Sequence, residues 1–397
     1  MARLVHVVER FLLIDLGASL NHTHHKLSIY AFSSFLKDKN IDFNVWVPFG
    51  SSLDKSRLPI RKILLSGTHA PAFSLFDPKT WINSLMNKFL VFSVKNELKY
   101  LMYMHVNLVA HYLRFLLAAK VKSYSGVLFT TACPYSVKTI YMLESSQIKT
   151  TIFFRLTNTA EARGELAELY DFKKLLNDAK NFEHVRIRFG VETENYRLQL
   201  NTGHYSTLYL TKVPYSKSGT NIESKNRPIV VSFLGYPTKD KGHENILPII
   251  KNVSEFRKEI NWQVHLYEKD PLLSALERLG VNILTVCGKI QPYEMNKLLS
   301  ATDLMCLPYN PKAFEFHSSA MHYHSMDYNI PVLSLNGTAF SSDIYNFKAG
   351  SISSNLNEMC EVLIDLSIDK IANWKFGCSK YNEFRNQTNE KFLDLNS

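Results

Sequence analysis

Residues 229–250 read IVVSFLGYPTKDKGHENILPII. An uncharged run of β-branched and aromatic residues ends at Gly235, a polar turn carrying Lys239, Lys241 and Gly242 follows, and a helix-like stretch begins at His243. Strand, sharp turn and helix in that order make a βα unit, the element from which parallel sheets are built. Downstream the alternation continues through WQVHLYE (262–268), VNILTVCG (281–288), the helix-like PYEMNKLLSAT (292–302), DLMCLP (303–308), a helix around SSAMHYHSMDYN (318–329) and the strand IPVLSLNG (330–337). Upstream, KVPYSKSGTNIESKNRP (212–228) is polar, broken by Pro, Gly, Ser and Asn, and reads as a linker between domains.

Before that linker the same pattern occurs. LVHVVERFLLIDLG (4–17) is strand-like, HHKLSIYAFSSFLKDKN (24–40) has helical spacing, and FNVWVP (43–48), GVLFTTACPYSV (126–137), TTIFFRL (150–156), EHVRIRFGV (183–191) and STLYLTKVP (206–214) are compact apolar runs. The expected fold is therefore α/β, with two βα domains of similar size joined by a linker. The first is placed at 1–215 and the second at 226–372, followed by a closing helix over 373–397. The length of 397 residues fits two domains of about 150 to 200 residues each.

The composition removes several function classes. With 46% hydrophobic residues the chain can bury real cores, and 15 Gly and 14 Pro are too few for a collagen-like or low-complexity chain. Cys133, Cys287, Cys306, Cys360 and Cys378 form no C-x-x-C pair, which argues against a disulfide framework and a thiolate zinc site. Glu9, Arg10 and Asp15 interrupt the N-terminal apolar run before it reaches signal-peptide length, and no uncharged run approaches the roughly 20 residues of a membrane span. A cytoplasmic location is expected.

Open parallel sheets bind ligands beyond the carboxyl ends of their strands, so the strand-to-helix turns are where chemistry is sought. In the 233–245 turn, Gly235 and Gly242 permit a tight backbone path, while Lys239 and Lys241 are placed to reach a phosphate. A solvated Lys-rich turn is the other reading. In LPYNPKAFEFHSSAMHYHSMDYN (307–329), Ser318 and Ser319 are natural helix caps beside His317, and Glu315 is a carboxylate suited to sugar hydroxyls or to plain solvent. LNHTHHKL (20–27) brings His22, His24 and His25 to the first turn of the first domain, as acid, base or hydrogen-bond donors or as ordinary surface residues, with no second cluster to complete a metal site. Arg155, ending an apolar strand, needs a partner: a substrate anion, or a neighbour such as Glu161 or Glu192. The Walker A, G-x-G-x-x-G and G-x-S-x-G patterns are absent, as is Asp-x-Asp.

These residues resemble the GT-B glycosyltransferases, particularly the retaining family 4 group, and the resemblance implies two Rossmann-like βα domains facing a central cleft. VVSFLGYPTKDKGHENILPII (230–250) is similar to that family's strand, Gly-Arg, Lys-Gly and helix, so Lys241 and Gly242 fall on the diphosphate-contacting pair, with Tyr236 where Arg is usual. KIQPYEMNKLLSATDLMCLPY (289–309) resembles the helix and Ala-Asp stretch, with Asp303 ahead of a strand ending at Pro308. Pro331 and Val332 fit the family's closing Pro-Val. Phe316 and His324 occupy the places of the family's two glutamates, with Glu315 one residue away. The helix containing Trp374 and Tyr381 resembles the segment that crosses back to the first domain.

The resemblance implies a glycosyltransferase that moves a sugar from a nucleotide-diphosphate donor to a glycan or lipid-linked glycan in surface polysaccharide or glycolipid assembly. It implies metal-independent chemistry with retention favoured, and no cofactor beyond the nucleotide sugar as co-substrate. Its candidate catalytic residues are His24, Glu315 and His324. The donor side comprises Gly235, Lys239, Lys241, Gly242, His317, Ser318 and Ser319, and the acceptor side His22, His25 and Arg155. A non-catalytic nucleotide-sugar or glycan-binding protein of the same fold is the alternative, favoured by the missing glutamates.

The net charge of +10 needs a partner. No nucleic-acid reading motif is present, so no nucleic acid is expected. The segment over 80–122 interleaves Trp81, Phe89, Phe92, Tyr100, Tyr103 and Tyr112 with Lys88, Lys95, Lys99, Arg114, Lys120 and Lys122. That pattern suits peripheral contact with an anionic membrane at its inner face, or a core helix with snorkelling lysines.

Overall fold

The computed structural model describes residues 10–16, 23–49, 51, 53, 58–64, 91–130, 134–156, 172–199, 205–207 and 227–394. The chain forms two compact units: Met1–Gly190 with His204–Ser206 and Leu393–Ser397, and Val191–Gly203 with Thr207–Phe392. Residues 212–226 of the expected linker lie outside the described residues.

Unit 1 carries β1 (Arg10–Ile14), β2 (Asp42–Pro48), β3 (Ile60–Leu64), β4 (Gly126–Phe129), β5 (Thr150–Leu156), β6 (Val185–Val191) and β7 (Tyr205–Thr207) in the sheet order β3-β2-β1-β4-β5-β6-β7. The pairings of β1 with β2 and β4, of β2 with β3 and of β4 with β5 are all parallel. Phe11, Leu12, Leu13, Val127, Leu128, Phe153 and Phe154 are fully buried, as a sheet covered on both faces requires. The helix predicted from 24–40 spans Thr23–Asp38. The long helix Val91–Lys120 lies within the basic aromatic stretch, whose Trp81, Lys88 and Phe89 are outside the described residues; Val109, Leu113 and Leu117 are buried, and Tyr112 Oη donates to Ile63 O at 2.9 Å. No described helix is long and apolar enough to cross a membrane.

Unit 2 carries β8 (Val230–Phe233), β9 (Asn261–Leu266), β10 (Ile283–Cys287), β11 (Leu304–Leu307), β12 (Val332–Leu335) and β13 (Gly350–Ser353), ordered β10-β9-β8-β11-β12-β13 and parallel throughout. Its core sits between this sheet and the helices Ile246–Ser254 and Leu356–Ile364, around Trp262, Val264, Ile250, Leu304, Met359 and Leu363. Asp303 joins β8 and β11 at their amino ends: its carboxylate takes both Arg227 Nη atoms (2.8 and 2.7 Å) and Val230 N (2.9 Å). The last helix runs from Ile368 to Leu393. Arg385 forms a buried ion pair with Asp327, and Tyr381 Oη donates to Asp343 at 2.8 Å, both within unit 2.

Candidate functional site

In unit 2 the strand order reverses between β8 and β11, and the crevice beyond their carboxyl ends is where such a sheet binds ligands. Two turns meet there. After β8, Gly235 leaves the strand at φ +106°, outside the range of L side chains, and a Cβ there would lie 2.8 Å from Met321 Cγ. Short 3-10 turns then cover Lys239–Lys241 and His243–Asn245, with Gly242 between them at φ +69°. A Cβ on Gly242 would fall 1.9 Å from Pro308 O, so only glycine lets this turn lie against the end of β11. Asn310 N donates to Asp240 O at 2.8 Å and fixes the two turns together. The regular helix begins at Ile246, after those tighter turns.

A shallow, partly open pocket lies between the turns, walled by Gly235, Tyr236, Lys241, His243, Pro308 and Tyr309 among others. Burial alone pushes the Lys241 ammonium below its ordinary range, and no carboxylate among the described residues lies within ion-pair distance of it. A partly desolvated cation without a counter-charge is a site where an incoming anion gains most. Lys239 is exposed and stands off the pocket wall. Tyr236, 58% exposed, turns its ring edge-on to Tyr267 at 5.5 Å.

The loop after β11 leads through residues 310–319 to the helix Ala320–Asp327. Ser319 caps that helix, its Oγ accepting from His322 N at 3.3 Å. Ser318 Oγ donates to Glu192 Oε2 at 2.6 Å, and His317 sets its ring against Phe314. Glu315 is exposed, and its carbonyl, not its carboxylate, is engaged, by Asn195 Nδ2 at 3.3 Å. His324 faces the interior of unit 2. Burial pushes it down to about 4 against the opposing pull of Asp327, so it is neutral at pH 7. His322, stacked on Phe340 at 5.1 Å, is pushed to about 3 by burial and by Arg385.

In unit 1 the strand order reverses between β1 and β4. Asp15 and Thr130, just beyond those strands, are joined by Thr130 Oγ1 donating to Asp15 at 2.5 Å. Arg155 is 2% exposed and donates through Nη1 to Ser28 Oγ (3.0 Å) and Thr130 O (2.9 Å), with its guanidinium over the Phe32 ring. Glu161, one of the neighbours suggested for it, lies outside the described residues. His22 lies outside the described residues; His24 and His25 lie in the first turn of Thr23–Asp38, with side chains outside the described ones.

Of the residues expected on the donor side, Gly235 and Lys241 line one pocket and Gly242 sits in the turn beside it; His243, Asp270 and Tyr309 were not singled out, and Glu192 was named only as a possible partner of Arg155. The Lys-Gly-His order of 241–243 was visible, but the reach of Glu192 to Ser318 spans 126 positions and leaves no local signal.

No protein-family model matches the sequence, and no curated protein matches it. Solved structures do. The trehalose-6-phosphate synthase OtsA is 12% identical over 98% of this chain and 99% of its own, with a TM-score of 0.61. WaaG, a glycosyltransferase involved in lipopolysaccharide biosynthesis, is 13% identical over 96% and 98%, with a TM-score of 0.53. Anabaena Alr3699/HepE, solved in complex with UDP-glucose, is 11% identical over 96% and 98%, with a TM-score of 0.55. The chain has the α/β fold of GT-B glycosyltransferases along nearly its whole length.

Proposed function

We propose that this protein is a glycosyltransferase that binds a nucleotide-diphosphate sugar at the β8–β11 crevice of unit 2 and transfers the sugar to a glycan or lipid-linked glycan. The carrying observation is Lys241, a partly desolvated ammonium without a carboxylate partner, held on a turn that only Gly242 allows. The fold it shares with WaaG, assigned to lipopolysaccharide biosynthesis, and with HepE, solved with UDP-glucose, supports this substrate class.

In this reading Lys241 stabilises charge as the diphosphate departs, without proton transfer to it. The serines at 318 and 319 and the exposed Glu315 border the sugar, His24 is a candidate catalytic residue, and His22, His25 and Arg155 belong to the acceptor side. The reaction is proposed to be metal-independent and retaining. Leu108 and Phe115, 60% and 66% exposed on the helix that also carries Arg114 and Lys120, support peripheral contact with an anionic membrane on the cytoplasmic side.

A non-catalytic nucleotide-sugar-binding protein is the second reading, favoured by Phe316 and the buried, neutral His324. Incubation with a panel of nucleotide sugars, reading release of nucleoside diphosphate, separates the two. Release with at least one donor and an acceptor extract supports the transferase. Tight donor binding with no release supports the binding protein.

A further inference from the structure

Behind the pocket wall, His243 Nε2 lies 2.6 Å from Asp270 Oδ2. The Asp270 side chain is wholly buried. Burial opposes its charge, but Leu272 N at 3.0 Å, Tyr267 N at 3.2 Å and His243 outweigh that effect and hold the carboxyl below its usual range. An ionised carboxylate has no proton to give, so Nε2 carries the hydrogen and the ring is fixed in one tautomer. The other nitrogen, Nδ1, has no hydrogen bond among the described residues, and the ring lines the same pocket as Lys241. Tyr267 braces the ring at 5.5 Å between centroids.

We propose that His243 is a phosphate-binding residue of this pocket, with Asp270 as its positioning residue, and that the imidazole takes up one proton from solvent as the anion binds. Nδ1–H then donates to a phosphate oxygen while Nε2–H stays on Asp270. No covalent bond forms or breaks. The inference rests on the donor-site reading of the crevice and adds a second cation to it. The charged and titratable groups around the ring are Lys241, Asp240 and Glu244 on its own turn, Tyr236 after β8, His265, Tyr267 and Asp270 at and after β9, and Tyr309 after β11. The negative charge of a bound diphosphate beside the ring favours the imidazolium in the complex. Because the complex holds more protons than its separated parts, affinity falls as pH rises.

Isothermal titration calorimetry at pH 7.5 with UDP-glucose, ADP-glucose and GDP-mannose, each in two buffers of different ionisation enthalpy, reads the proton uptake directly. These diphosphate diesters have no proton to exchange near that pH. For whichever donor binds, the wild type takes up a measurable fraction of a proton. H243Q binds roughly tenfold more weakly, as expected for one charge-assisted hydrogen bond, and takes up none. D270N keeps the imidazole and lowers the uptake, which loss of packing alone would not do, and H243N replaces H243Q if that variant does not fold. Binding by the wild type without uptake overturns the proposal, as does uptake that persists in H243Q and so belongs to Lys241. No binding of any donor by the wild type overturns the donor-site reading itself, and this inference with it.

Discussion

Ser318 Oγ donates to Glu192 Oε2 across 2.6 Å, joining the loop before helix Ala320–Asp327 to the segment that follows β6. Three more hydrogen bonds run between the same pieces of chain: Tyr323 Oη to Glu192 O, Thr193 Oγ1 to Phe316 O and Asn195 Nδ2 to Glu315 O. The loop that carries His317, Ser318 and Ser319 is therefore held from outside its own strand and helix.

Removing that staple is expected to loosen the loop. E192A should lower stability by about 1–2 kcal/mol, the cost of a lost charged hydrogen bond, and raise the donor KM, while E192Q, which still accepts from Ser318, stays close to wild type. Thermal melts and initial rates check this, and equal behaviour of the two variants would remove the assigned role.

Gly242 and Gly280 separate strain from collision. Both have left-handed φ, +69° and +64°, but a Cβ meets nothing within 4 Å at Gly280 and meets Pro308 O at 1.9 Å at Gly242. G280A should cost roughly 1 kcal/mol. G242A should cost more and also weaken donor binding, since the turn bearing Lys241 must move. Chemical denaturation and titration calorimetry on both variants check the contrast.

Asp343 gives a pH signature. Burial pushes its carboxyl up to about 7, with Tyr381 and Arg385 opposing. The folded state thus binds a proton that the unfolded chain, titrating near 4, has already released at neutral pH. Its contribution to stability is full below about pH 4 and is lost as pH rises through about 7. D343N, which still accepts from Tyr381, should be more stable than wild type at pH 8 by roughly 3–4 kcal/mol, with the difference closing towards pH 4. Urea denaturation at pH 4.5, 6 and 8 measures it.

The fold was legible where apolar runs are long and turns are marked by Gly or Pro. The strands around 230–233, 262–266 and 304–307 and the helix from Thr23 follow the sequence pattern closely. Short or irregular elements were not: β3, β13 and the helices Ser341–Phe347 and Leu356–Ile364 have too few residues for a period to emerge. At the site, Lys241 and Gly242 were legible because a tight turn after a strand needs particular residue types. His243 depends on Asp270, and Ser318 on Glu192, and such pairings exist only once the chain has folded. His324 shows the opposite limit, since its motif position gave no hint that the side chain points into the core.

The central claim is that the crevice at β8 and β11 binds the diphosphate of a sugar nucleotide through Lys241. Calorimetric titration of nucleoside diphosphates, UDP foremost, into wild type and K241A tests it most directly. The account predicts saturable binding by the wild type and a loss of roughly 10- to 100-fold in K241A, with an unchanged melting temperature in the absence of ligand. Equal affinity in the two proteins would contradict it.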